Sequence, residues 1–212
     1  LLDRFQKGKV PILVGTQMVA KGLDFENVTL VGVIAADLAL YVDSFRASER
    51  TFSLLTQVVG RAGRGEKSGR AVIQTYTPDN DVIRCAAIQD YDRFYAQEIN
   101  LRRLMDYPPF RDVFVLTASG IDESAVFRKC QKLRRSLEDW AAAWRDYDAR
   151  PRLLGPAPAS VAKVNNRYRY RLTLLCQNTK EVRQLISTLL IAAANDREIR
   201  GVSVFADVNP YD

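Results

Sequence analysis

The sequence predicts an α/β protein in two parts, a mainly parallel strand-and-helix layer followed by an α+β domain of order β-α-β-β-α-β. Three observations point there. Between residues 10 and 105, short apolar runs rich in β-branched side chains alternate with stretches of helical period. The run at 28–37 is apolar throughout rather than alternating, as suits a parallel strand covered on both faces. From residue 111 onward the periods run strand, helix, strand, strand, helix, strand, the split βαβ order of ferredoxin-like domains.

Taken in order, 1–9 (LLDRFQKGK) reads as the end of a helix, and 10–15 (VPILVG) as a short buried strand stopped by Gly15. The next strand is 28–37. Residues 47–64 are helical, with Phe52, Leu55, Val58 and Val59 recurring at three and four. A loop at 65–69 leads to strand 70–77, and Thr77-Pro78-Asp79-Asn80 punctuates the chain. One long helix is expected over 81–105, its stripe made of Ile83, Ala87, Tyr91, Phe94, Leu101 and Met105. Pro108 and Pro109 end it, since neither can continue a helix. Beyond lie strand 111–119, helix 122–146, an irregular Pro-rich stretch 151–159, strands 160–165 and 167–176, helix 179–195 and strand 201–208. Domains are accordingly expected at 1–80 and 111–212, with 81–110 connecting them.

Composition bounds the function. With 47% hydrophobic and 26% charged residues over 212, the chain is an ordinary globular one, not disordered, collagenous or low-complexity. Thirty-one Lys and Arg against 25 Asp and Glu leave +6, which permits a polyanionic partner without requiring one. The longest apolar run, TLVGVIAADLAL, is interrupted by Asp37 and is too short for a membrane span. No histidine is present, which removes Ser-His-Asp triads and His-ligated metals. Cys85, Cys130 and Cys176 lie about 45 residues apart with no C-x-x-C pair, so no metal site is expected. Sparse, odd cysteines without a signal peptide read as a reducing cytoplasm. The chain opens in mid-helix and reads as a fragment.

The chemistry is concentrated between 15 and 65. In Gln57-Val58-Val59-Gly60-Arg61-Ala62-Gly63-Arg64, steps of four and three put Gln57, Arg61 and Arg64 on one helical face. Each helical glycine costs about 1 kcal/mol against Ala, so two in four residues suggest a close neighbour. Two forked guanidiniums there suit phosphate oxygens. An exposed helix end carrying arginines, favoured by its dipole, is the alternative. Gly15 to Asp24 (GTQMVAKGLD) follows a strand and opens a helix, a junction whose free N–H groups and Thr16 hydroxyl suit phosphate. A capped helix start with a stray Lys21 is the bland reading. The near P-loop at 60–68 is rejected, because Glu66 separates Gly65 from Lys67 and a helix precedes it. VGVIAAD, ending at Asp37, has no second carboxylate after it, which makes Asp37 an interface or capping residue.

In the second domain, Asn165-Asn166 closes a tight hairpin. The strand after it puts Arg167, Arg169 and Arg171 on one face, with Tyr168 and Tyr170 on the other. Arginines about 7 Å apart match two phosphate steps of a nucleic-acid strand. A solvated face with tyrosines packed on a helix is the alternative. Phe127, Cys130, Leu133, Leu137, Trp140 and Trp144 form one core stripe, and Val182, Leu185, Ile186, Leu189 and Ala193 another. Arg128, Lys129, Lys132, Arg134 and Arg135 are assigned to the wet side of the first of these helices, with phosphate binding as the alternative.

Q-x-x-G-R-x-G-R resembles the last conserved motif of superfamily-two helicases. That resemblance implies a second RecA-like lobe of P-loop NTPase type, with Arg64 as arginine finger, Arg61 as a γ-phosphate contact and Gln57 as a positioner. By the same resemblance Thr16, Gln17 and Lys21 contact the DNA backbone, and Gly22 and Asp24 lie on the ATP side. The match narrows further. GTQMVAKGLDFENVTLVGVIAAD, DSFRASERTFSLLTQVVGRAGRG, RRLMDYPPF, LGPAPA, NRYRYRL and DVNPYD are together similar to the PriA family of replication-restart helicases. This implies an ATP- and Mg2+-dependent 3′ to 5′ DNA helicase of the bacterial cytoplasm, acting at stalled or branched forks and starting primosome assembly. Implied partners are forked and single-stranded DNA, single-stranded DNA-binding protein and primosome proteins, with the protein a monomer. The family's first lobe and its cysteine-rich zinc site lie upstream of residue 1, so this chain alone should hydrolyse no ATP.

Overall fold

A computed structural model describes residues 2–16, 28–60, 62, 69–144 and 150–211. It divides into two compact units, Leu1–Asn100 and Leu101–Asp212.

The first unit holds α1 (Leu2–Gln6), β1 (Leu30–Val33), a 3₁₀ turn (Ala36–Ala39), α2 (Ala47–Val59), β2 (Arg70–Ile73) and α3 (Asp81–Ala87). Helix α4 (Tyr91–Met105) begins here. β1 and β2 pair in parallel, Leu30 beside Arg70 and Val33 beside Ile73. Phe52, Leu55, Ile83, Cys85, Ala86 and Phe94 form the core, with Val33 and Ile73 packed on it. Phe52 and Phe94 stack at 4.1 Å.

Four expectations for this unit change. Among the described residues, β1 and β2 are covered on one face only, since burial alternates along both and Leu30, Ile34 and Val72 are exposed. The run 10–15 forms no strand: an extended segment needs a ladder partner, and Ile12 and Val14 face solvent. Strand 70–77 stops at Ile73, because the backbone and hydroxyls of 75–77 turn to bind Asp37. The single helix over 81–105 is two, because Gln89 takes a left-handed φ of 57° and Asp90 accepts the Arg93 N–H to start a new helix. Tyr91, Leu101 and Met105, expected on the apolar stripe of one helix, are exposed.

The second unit contains β3 (Asp112–Gly120), α5 (Glu123–Ala142), β4 (Arg152–Val164), β5 (Arg167–Cys176), α6 (Lys180–Asn195) and β6 (Val202–Val208). The sheet order is β4-β5-β3-β6 with every neighbouring pair antiparallel, the split βαβ arrangement expected. Asp122 caps α5 by accepting the N–H groups of Ser124 and Ala125, and Thr179 caps α6. Phe114, Leu116, Leu172 and Leu174 of the sheet meet Leu133 and Leu137 of α5 and Val182 and Ile186 of α6 in one core. Both helices therefore lie on the same sheet face. Asn165 and Asn166 turn the β4–β5 hairpin with φ of 48° and 59°.

The irregular 151–159 stretch is instead part of β4, which runs from Arg152 to Val164 with irregular register between 154 and 157 and again between 158 and 163. Pro156 and Pro158 are tolerated because β4 is an edge strand, where a missing N–H costs no ladder bond on the outer side. At Gly155, φ is 94°, and an added Cβ would stand 2.6 Å from the Arg171 carbonyl oxygen. That absent side chain lets β4 close on β5.

Candidate nucleic-acid interface

In the first unit, Gln57 sits exposed on the last turn of α2, its amide donating to Ser53 Oγ at 3.2 Å. Thr16 is exposed as well. Gln17, Lys21, Gly22, Asp24, Arg61 and Arg64 lie outside the described residues. The close neighbour expected at Gly60 is internal: the Gln89 amide would stand 3.2 Å from a Cβ there, and it donates to the Thr56 carbonyl. Asp37 is a capping residue. Its carboxylate accepts the hydroxyls of Thr75 and Thr77 and the N–H groups of Tyr76, at 2.9 Å, and of Thr77. Those hydroxyls, and then the Tyr76 N–H, hold its pKa well below the usual carboxylate range.

The second unit presents a more complete surface. Alternation along β5 sends Tyr170, Leu172 and Leu174 toward the helices, where Tyr170 meets the Phe127 ring and donates to Glu123. That bond to the carboxylate raises the Tyr170 pKa. Arg167, Arg169 and Arg171 take the opposite face, which α5 and α6 leave uncovered. Sheet register arranges that face in cross-strand rows. Arg171 is opposite Thr117 of β3, which is opposite Phe205 of β6. Arg169 is opposite Ser119, which is opposite Ser203.

The three arginines are not equivalent. Arg167 lies diagonally across the second row, donating to the Ser119 carbonyl at 2.8 Å, Ser119 Oγ at 3.2 Å and Ser203 Oγ at 3.1 Å. Arg171 reaches Ser160 of β4. Among the described residues, Arg169 makes no side-chain hydrogen bond or ion pair. Thr117, between Arg171 and Phe205 in its row, is only 2% exposed. Phe205 remains 41% exposed. Sequence reasoning missed Phe205, Ser119 and Ser203. Alternation in VSVFADV assigns Phe205 to a face, but only the strand order makes that face the arginine face.

The basic cluster of α5 divides differently from expectation. Lys129, assigned to the wet side, is 1% exposed. Its ammonium donates to the Ala193 carbonyl and to Asp196, both at 3.0 Å, tying α5 to the end of α6. Lys132 joins Asp196 to Glu198, and Arg134 pairs with Glu138. Burial of Lys129 is physically reasonable because a carboxylate and a helix-terminal carbonyl receive its protons.

Comparison with known proteins places these units. Residues 103–211 match the family model described as Primosomal protein N C-terminal domain, and residues 1–66 match the Helicase conserved C-terminal domain. Replication restart protein PriA of Bacillus subtilis (strain 168) is 39% identical over 211 residues, which is 100% of this chain and 26% of that protein. The protein of the same name from Synechocystis is 44% identical over 172 residues, 81% of this chain and 20% of its own. The one from Chlamydia trachomatis is 33% identical over 210 residues, 99% of this chain and 27% of its own. The chain thus spans about a quarter of the length of these relatives. With half of its residues matched by the carboxyl-terminal domain and nearly all of it aligned to replication restart proteins, the chain belongs to the primosomal protein N, or PriA, family.

Proposed function

We propose that this chain is the carboxyl-terminal part of an ATP-dependent 3′ to 5′ DNA helicase that engages stalled or branched forks and starts primosome assembly. Residues 1–80 belong to its second motor lobe. The observation that carries the DNA reading is the sheet face opposite α5 and α6 that bears Arg169 and Arg171, with Arg167 braced across it. Phosphates are attracted there by the forked guanidiniums of Arg169 and Arg171. Single-stranded DNA-binding protein and primosome proteins are the further partners, in a bacterial cytoplasm, with the protein monomeric. No described helix is long and apolar enough to cross a membrane.

ATP with Mg2+ supplies the energy of translocation, held mainly by the first lobe and met from this one. Gln57 fits that task, since its amide is exposed at a helix end and spends one hydrogen bond on Ser53. Arg64 is proposed as the arginine finger, Arg61 as a second phosphate contact, and Gly22 and Asp24 as the nucleotide side of the upstream motif. Thr16, Gln17 and Lys21 hold the DNA backbone. In the intact protein, Arg64→Ala should lower ATP turnover about 10³-fold while DNA binding survives; turnover within a few-fold of wild type refutes the finger. Lys21→Ala should weaken DNA-stimulated turnover, and a loss confined to basal hydrolysis would place it on the wrong side.

The 212-residue chain by itself should act as a docking module without ATPase activity, its only P-loop-like stretch being broken by Glu66. Fluorescence anisotropy with forked and single-stranded DNA across a salt series tests the module. Neutralising Arg169 and Arg171 should reduce the salt slope by about 0.7 to 0.9 for each contact. Titrations that stay flat with both substrates would refute the DNA reading.

A further inference from the structure

We propose that the open sheet face takes an unpaired strand, with one base laid on Phe205 and the adjoining phosphates on Arg171 and Arg169, while Arg167 positions the surface without touching the strand. This rests on the DNA reading above and adds the class of DNA and the residue that selects it.

Phe205 lies in the same row as Arg171, with the buried Thr117 between them. An exposed ring beside guanidiniums offers a base one flat partner and a phosphate another. A duplex can use the arginines but not the ring, because its bases are stacked on one another and paired. Charge distribution gives the path. The rows holding Arg169 and Arg171 carry no carboxylate, whereas Asp207 lies one row further along β6, opposite Val115. A polyanion therefore crosses at the arginine rows and is turned away at the next. Arg169 and Arg171 are two residues apart on one strand, about 6.8 Å, or two phosphate steps.

Arg167 has a different task. Its three hydrogen bonds reach β3 and β6 from β5, and Ser203 Oγ itself donates to the Ser119 carbonyl at 3.2 Å. That network ties the three strands beneath the surface on which the ring and the two outer arginines stand.

The test is anisotropy of the 212-residue chain with an oligo-dT strand and with a blunt duplex of equal length. Phe205→Ala should weaken the single strand by about five- to hundredfold. It should leave the duplex within twofold and the salt slope unchanged. Phe205→Tyr, which keeps the ring, should bind as wild type. Arg167→Ala should lower affinity without lowering the single-strand salt slope, while Arg169→Ala should reduce that slope by about 0.7. Equal losses on strand and duplex, or none, from Phe205→Ala would overturn the stacking proposal. If Arg169→Ala and Arg171→Ala then still reduce the salt slope, only stacking falls. If they too bind as wild type, the DNA reading falls with it. Displacement of the strand by poly-glutamate, unaltered in Phe205→Ala, would mean the face reads charge alone and would also overturn stacking.

Discussion

Gly155→Ala is the substitution that most directly tests how the basic face is built. Two costs act at this position. An L side chain at φ 94° costs about 1–3 kcal/mol. The new Cβ would also stand 2.6 Å from the Arg171 carbonyl oxygen, a backbone atom of a strand held between β4 and β3. Overpacking of this kind adds about 1–3 kcal/mol. Together they predict a loss of about 2–6 kcal/mol. For a unit of this size each kcal/mol lowers Tm by about 4 °C, so the expected drop is about 8–24 °C. Gly201 supplies the control, because its φ is 74° but nothing lies within 4 Å of the added atom. Gly201→Ala should cost about 1–2 kcal/mol. The assay is thermal unfolding followed by tryptophan fluorescence, which reports this unit alone because both tryptophans, Trp140 and Trp144, belong to it. Equal shifts for the two variants would show that β4 does not close on β5 as described.

Three further outcomes follow from other parts of the molecule. Lys129→Met should lower the same melting transition more than Lys132→Met, because Lys129 is buried while Lys132 is half-exposed; the reverse order would refute the tie between α5 and α6. Asp37 has a folded pKa held below its unfolded value of about 3.9, so its stabilisation is present above that pH and is lost as pH falls below it. Asp37→Asn should therefore weaken hydrogen-exchange protection of the first unit at pH 7 and flatten its acid dependence; an unaltered acid profile would contradict the cap. Burial pushes the Cys130 thiol up to about 11 and the Cys176 thiol up to about 12. At pH 8 neither should react with a thiol reagent in minutes until the protein is unfolded, and a fast native reaction would show that the core opens.

Where local chemistry decides an element, the sequence reads it well. The Asn165-Asn166 hairpin follows from two residues that tolerate left-handed φ, and β5 begins at the next residue. Alternation from Arg167 to Cys176 correctly separates an arginine face from a core face. Asp122 and Thr179 mark helix starts by capping. Failures came where position in the sheet decides. Two prolines argue against a strand until β4 proves to be an edge. The run at 10–15 looks like a buried strand by composition, yet composition cannot supply the neighbour its backbone requires. Lys129 looks wet on a helical wheel, because the carboxylate and carbonyl that bury it are more than 60 residues away.

The candidate interface repeats that division within a single strand. Period-two alternation makes Arg167, Arg169 and Arg171 identical in kind, three charges at equal spacing on one face. The neighbouring strands make them different. Arg167 stands where Ser119 and Ser203 offer three oxygens, and its guanidinium is used in joining strands. Two residues on, Arg169 is paired in register with Ser119 but makes no side-chain bond there, because the Arg167 fork already occupies that serine. Arg171 finds Thr117 and, beyond it, Phe205. A strand-by-strand reading therefore predicts three equal phosphate contacts and three equal reductions in salt slope. Register predicts two contacts, one brace and one ring. Substituting the arginines one at a time separates these accounts: three equal slope changes would favour simple alternation, and a loss at Arg167 without a slope change would favour the register.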